Sequence, residues 1–109
     1  MGSVVTPERA YQFVVDALLD EPEVESGRMF RSQGLRFRRR FFALLNRGRL
    51  VVKLPADRVA QLEGDGTGTR FDRGDGRPLR EWVAVPLTDE ERWRALAVEA
   101  LGFAHRLAG

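Results

Sequence analysis

The sequence predicts an α+β fold: an antiparallel twisted sheet of four to five strands with flanking N- and C-terminal helices. Three observations carry the prediction. Apolar residues near both ends recur at three- and four-residue spacing, the mark of a helix with one buried face. The middle of the chain is a series of short apolar runs separated by turn residues, as in hairpin-connected strands. A length of 109 residues, 43% hydrophobic and 31% charged, suits one domain with a single core. Strands bracketed by helices in this way build a sheet covered on one face.

The elements follow in order. Thr6 can cap a first helix and Pro7 suits its first position, while Ala10, Phe13, Val14, Ala17 and Leu18 form an apolar stripe that Pro22 ends. Glu23-Val24-Glu25 is expected to be extended, Met29-Phe30 a short strand, and Ser32-Gln33-Gly34 a turn. Leu35–Phe37 and Phe41–Leu45 read as strands joined across Arg38-Arg39-Arg40, where Gly or Asn would be easier. Asn46-Arg47-Gly48 reads as a tight turn into a strand over Leu50–Leu54. A short helix follows from Pro55-Ala56-Asp57 to Gly64. Residues 64–76, with five glycines and three aspartates, are expected to be a loop. Arg80–Val85 alternates as a last strand, Trp82 and Ala84 on one face and Val83 and Val85 on the other. Thr88-Asp89-Glu90-Glu91 reads as a capping box, and Trp93, Leu96, Ala97, Ala100, Leu101, Ala104 and Leu107 give the closing helix its apolar face.

The net charge of +2 conceals a segregation. Residues 27–53 carry nine basic residues and no acid, together with much of the apolar bulk of the sheet. Residues 1–26 carry six acids against one base. Seventeen of the 18 basic residues are Arg, a preference that a GC-rich genome produces without selection for nucleic acid. There is no cysteine, which excludes disulfides and thiolate metal sites, and no apolar run of membrane-spanning length. A cytoplasmic protein with no membrane contact is expected.

Gly27-Arg28-Met29-Phe30, Gly34-Leu35, Phe42-Ala43-Leu44-Leu45, the block from Gly48 to Pro55 with Arg58-Val59, and the block from Gly76 to Val83 form a pattern. In these residues, over roughly positions 24–107, the chain resembles the MmcQ/YjbR-like family and the related N-terminal domain of the TfoX/Sxy competence regulators. The resemblance implies a single YjbR/TfoX-N-like domain over 1–109, of the secretion-chaperone-like α+β type. It also implies a DNA-binding or transcription-accessory role. The chain departs from the pattern at Arg31-Ser32 and at Arg39-Arg40, and it matches nothing of the TfoX C-terminal domain, so no role that needs that domain is implied.

The candidate nucleic-acid contacts are Arg28, Arg31, Arg36, Arg38, Arg39, Arg40, Arg47 and Arg49. An antiparallel ribbon edged with Arg can lie along a phosphate backbone. The alternative is a solvated sheet face neutralised by Glu21, Glu23 and Glu25 or by Glu90 and Glu91. Gly64-Asp65-Gly66-Thr67-Gly68 superficially resembles a phosphate loop but follows a helix instead of leading into one, and Asp65, Asp72 and Asp75 lack calcium-loop spacing. His105 has no nucleophile or orienting acid to work with, Lys53 is expected to pair with Glu81, and Trp82 and Trp93 to lie in the core. No catalytic constellation, cofactor fingerprint or metal cluster can be nominated, so neither cofactor nor metal is expected, nor an enzyme. DNA is the first partner to test. The competing reading is a protein-interaction module that recruits a partner or a second copy through an exposed sheet face or edge. A third, small-ligand binding between the sheet and residues 64–78, needs a pocket that only a structure can reveal.

Overall fold

The computed structural model describes residues 5–29 and 31–109, which form six strands and three helices. Helix α1 spans Pro7–Leu18; the Thr6 side chain accepts a hydrogen bond from the Arg9 N–H at 3.2 Å. Its buried face is Ala10, Tyr11, Val14 and Leu18. The stripe is thus rotated towards Tyr11 from the expected one: Phe13 is only half-buried, under the Arg94 guanidinium, and Ala17 is exposed.

Strands β1 (Val24–Met29), β2 (Ser32–Phe37), β3 (Arg40–Asn46) and β4 (Arg49–Lys53) form an antiparallel meander. Helix α2 (Ala56–Gly64) then leads to β5 (Thr69–Asp72) and β6 (Pro78–Pro86), and α3 (Glu90–Ala108) closes the chain. The sheet order is β1-β2-β3-β4-β6-β5, all neighbours antiparallel. The α+β class with one helix-covered face is as expected, with corrections in detail. Ser32-Gln33-Gly34 is strand, not turn, because Met29 of β1 pairs directly with Ser32 and pairing continues through Gly27↔Gly34. Phe30 itself lies outside the described residues. The sixth strand, β5, emerges within the segment expected to be a loop. Its Phe71 is buried against Leu44, Val51 and Ala84, apolar cover that holds four residues against the β6 edge. Asp89, not Thr88, caps α3, accepting from the Glu91 N–H at 3.1 Å. Leu107, expected on its apolar face, is exposed, and Phe103 is buried instead.

The main core lies between the sheet and all three helices. Leu35, Phe37, Phe42, Leu50, Val52, Val83 and Val85 meet Val14 of α1, Val59 and Leu62 of α2, and Trp93, Leu96 and Ala100 of α3. Trp93 is fully buried and its indole N–H donates to the Pro86 carbonyl at 3.3 Å. Arg58 ties α2 to α3 through two hydrogen bonds to the Glu99 carboxylate, at 2.8 and 3.0 Å. Those bonds raise the Arg58 pKa above its ordinary value.

One core group is unmatched. The Tyr11 hydroxyl is buried without a hydrogen-bond partner, and burial raises the phenol's pKa above its ordinary value near 10. The folded state therefore holds this proton more tightly than the unfolded chain. Its contribution is complete below about pH 10 and is lost as pH rises beyond. Tyr11 is the only tyrosine. Tyr11→Phe is expected to raise stability at neutral pH by about 1 kcal/mol, the cost of an unmatched buried hydroxyl. It should also remove the alkaline loss; urea midpoints at neutral pH and at about pH 10.5 would measure both.

Candidate nucleic-acid interface

The arginine-rich segment is folded through three tight turns, and arginine occupies the left-handed position in each. Arg38 and Arg39, at φ 49° and 70°, form the two-residue link between β2 and β3. Arg47 and Gly48, at φ 52° and 74°, link β3 to β4, and Arg31, at φ 62°, precedes β2. Such turns favour Asn and Gly, because a left-handed residue with a Cβ is strained. Among the described residues, only Glu23 is another non-glycine with positive φ.

These turns divide the sequence's single basic segment into two ends. Arg31 and Arg47, with Arg28 close by, sit at one end of the meander, and Arg38, Arg39 and Arg40 at the other, six residues of β2 and about 20 Å away. The β2–β3 hairpin is also no free ribbon: β1 and β4 flank it on both sides. It has no arm to insert into a duplex groove. Acids reach two of the eight candidate arginines, and they come from the entry to β1 and β1 itself, not from a helix. Arg38 Nε donates to Glu23 at 2.9 Å. Arg36 Nε lies 2.9 Å from Glu25 Oε1, an ion pair off the hydrogen-bond direction. The Arg38–Glu23 pair is solvent-exposed and contributes little stability, while Arg36 is half-buried and its Nε is shielded from solvent. Glu91, expected as a partner, is held by Arg94 instead. Arg28, Arg31, Arg39, Arg40, Arg47 and Arg49 make no ion pair among the described residues.

Between the basic ends lies the sheet face that no helix covers. It holds a second apolar cluster, Leu44, Val51, Phe71 and Ala84, with Met29, Phe41, Leu79 and Trp82 packed on it half-buried. A register shift places Phe41 here. Leu35 pairs with Ala43 but Arg36 with Phe41, so Phe42 is the extra residue of a bulge; Phe42 and Ala43 both enter the helix-side core and Phe41 faces out. Arg36 stands opposite Phe41, its guanidinium 5.9 Å from the ring centre, and Lys53 stands opposite Trp82. Phe41 and Lys53 line one cleft. A row thus crosses four adjacent strands, Arg36, Phe41, Lys53, Trp82, alternating cation and aromatic over about 14 Å. Arg49 lies further along β4, half-buried, opposite Asn46 and Pro86.

Two glycines shape the Phe41 site. A Cβ on Gly34 would stand 2.8 Å from the Phe41 ring, and one on Gly27 would stand 3.0 Å from its tip. The ring therefore lies against bare backbone, flat along the sheet. Phe41 and these glycines were not foreseen as site residues, and Trp82 and Lys53 were expected in the core and in an ion pair, respectively. Trp82 is on the outer face, not in the core, and Lys53 faces Trp82 in place of the expected Glu81 because the β4–β6 register sets them opposite.

The other candidates resolve locally. The Asp65 carboxylate accepts from the Thr67 hydroxyl and N–H, which holds its pKa below the ordinary value. Asp72 accepts from the Gly74 and Gly76 N–H groups, and Asp75 from that of Arg77. These aspartates shape turns. No group of three or more His, Asp or Glu is placed to hold a metal among the described residues. The exposed His105 ring stacks 4.2 Å from that of Phe37. No helix among the described residues is long and apolar enough to cross a membrane.

Compared with protein-family models and with curated proteins, the chain finds no match in either.

Proposed function

We propose that this chain is a non-enzymatic, cytoplasmic protein that binds single-stranded nucleic acid across the uncovered face of its sheet. The observation that carries the reading is the Arg36–Phe41–Lys53–Trp82 row lying between two ends rich in arginines without acidic partners. An aromatic ring lying flat on a sheet accepts an unstacked base, and neighbouring cations follow its phosphates; most single-strand platforms combine these two parts. A duplex offers no splayed bases, and the flanked hairpin offers it no groove-reading arm. The resemblance of the sequence to the YjbR-like and TfoX N-terminal domains, itself a proposal, points to nucleic acid as well.

The test is fluorescence anisotropy with short single-stranded and duplex oligonucleotides across a salt series. Single strands are expected to bind more tightly, with affinity falling steeply as salt rises. Phe41→Ala and Trp82→Ala should each weaken binding by about 1–3 kcal/mol, roughly 5- to 150-fold, at unchanged salt slope. Absence of binding at low salt, or affinity indifferent to both substitutions, overturns the reading. The half-buried Phe41 and Trp82 would then favour the protein-interaction alternative, with pull-down as the next experiment.

A further inference from the structure

A cleft of about 290 Å³ opens where the β2–β3 turn and the end of β4 meet the last turns of α3. It shares Phe41 and Lys53 with the row described above and runs from them around the sheet's end to α3, where the oligonucleotide argument places nothing. Phe42 and Phe103 form its apolar wall, with Leu107 at the rim. Arg38, Arg40 and Lys53 line it too, and no Asp or Glu does. Of the three cations only Arg38 has an acidic partner, Glu23, which lies outside the cleft lining. Leu107 has 53% of its surface exposed, although the rest of the helix face beside it is packed.

We infer that this cleft binds a small amphipathic carboxylate: an apolar body against Phe42, Phe103 and Leu107, and a carboxylate between Lys53 and Arg40. Charge and shape both argue for this class. Unpaired cations beside an apolar wall favour an anion that brings its own apolar surface, since a fully hydrated anion would leave the wall wet. The volume equals that of about ten waters at ~30 Å³ each, room for a ligand of about ten non-hydrogen atoms such as an eight-carbon acid. Binding of a molecule that size belongs in the high-micromolar to low-millimolar range.

The test is titration of the whole chain with octanoate, followed by amide chemical shifts, against octanamide as the uncharged control. Saturable shifts at Phe42, Lys53 and Phe103 are expected with octanoate. Octanoate should bind about tenfold more weakly to Lys53→Met, which loses one charged contact, and octanamide, which loses the charge on both, should bind at least about tenfold more weakly to the parent chain. Leu107→Asp places a negative charge at the rim of the cleft on an already exposed position, so the fold is preserved and octanoate binding should fall at least as far. Unsaturable or scattered shifts, equal affinity for octanamide, or indifference to Lys53→Met and Leu107→Asp in chains with otherwise unchanged spectra overturns the proposal.

Discussion

A chain carrying Asn-Gly in place of Arg38-Arg39 is expected to melt about 5–10 °C above the parent protein and to bind single strands with a weaker salt dependence. The stability gain comes from the backbone. Both arginines sit at left-handed φ, 49° and 70°, where a Cβ crowds the following carbonyl at a cost of roughly 1–2 kcal/mol per residue. Asn-Gly is the pair this turn type prefers. Against that gain stand two losses, an exposed ion pair to Glu23 at about 0–1 kcal/mol and the Arg38 guanidinium 5.1 Å from the Phe37 ring centre at about 0.5–1 kcal/mol. The net is a stabilisation of about 1–2 kcal/mol. Removing two cations from a single-strand site should flatten the slope of log K against log salt by about 1.4, at ~0.7 per phosphate contact. Higher stability with weaker salt dependence would identify the tip as strained in the service of binding. A higher melting temperature with an unchanged slope would place the tip outside the interface, and a lower one would refute the strain argument.

The strained tip was already legible in the sequence, since three consecutive arginines at a hairpin end conflict with turn preferences. Helix capping at Thr6, the Leu50-Val51-Val52 strand and the alternation of Trp82 to Val85 were equally plain, because each rests on local chemistry within a few residues. What remained hidden depends on pairing. Nothing within Arg40-Phe41-Phe42-Ala43 says which phenylalanine faces the helices; the answer comes from a one-residue shift against Leu35 and Arg36 on the neighbouring strand. The same holds for Lys53, whose neighbour is set by the β4–β6 register and not by the nearest acid in the sequence. Strand β5 was masked because its four residues sit among glycines and aspartates, and only the burial of Phe71 against the far side of the sheet reveals it. The arginines were found as residues but misplaced as a group. A segment of one charge folds through three turns, and each turn reverses the chain, so sequence neighbours end on opposite ends of the sheet.

Gly34→Val is expected to be destabilising by about 1–2 kcal/mol and to abolish the contribution of Phe41 to oligonucleotide binding. A Cβ at this position would stand 2.7 Å from Leu44 Cδ2 and 2.8 Å from two Phe41 ring atoms. Leu44 is fully buried between Val51 and its neighbours and has nowhere to retreat. Phe41 is half-buried and open to solvent on one side, so it is the group that must swing away. Overpacking of this kind costs about 1–3 kcal/mol, less the ~0.4–1 kcal/mol gained by replacing a glycine in the unfolded chain. The two residues should therefore be coupled. In a Phe41→Ala background the valine meets only Leu44, and its cost should shrink by about 1 kcal/mol, within the range that contacting residues show in double-mutant cycles. The binding readout is sharper still: Gly34→Val and Phe41→Ala should weaken single-strand affinity to the same extent, and the double substitution no further. Additive losses in binding would mean that Gly34 acts on the interface through something other than the ring it supports. The proposed platform would then lose its structural basis even if the chain binds nucleic acid.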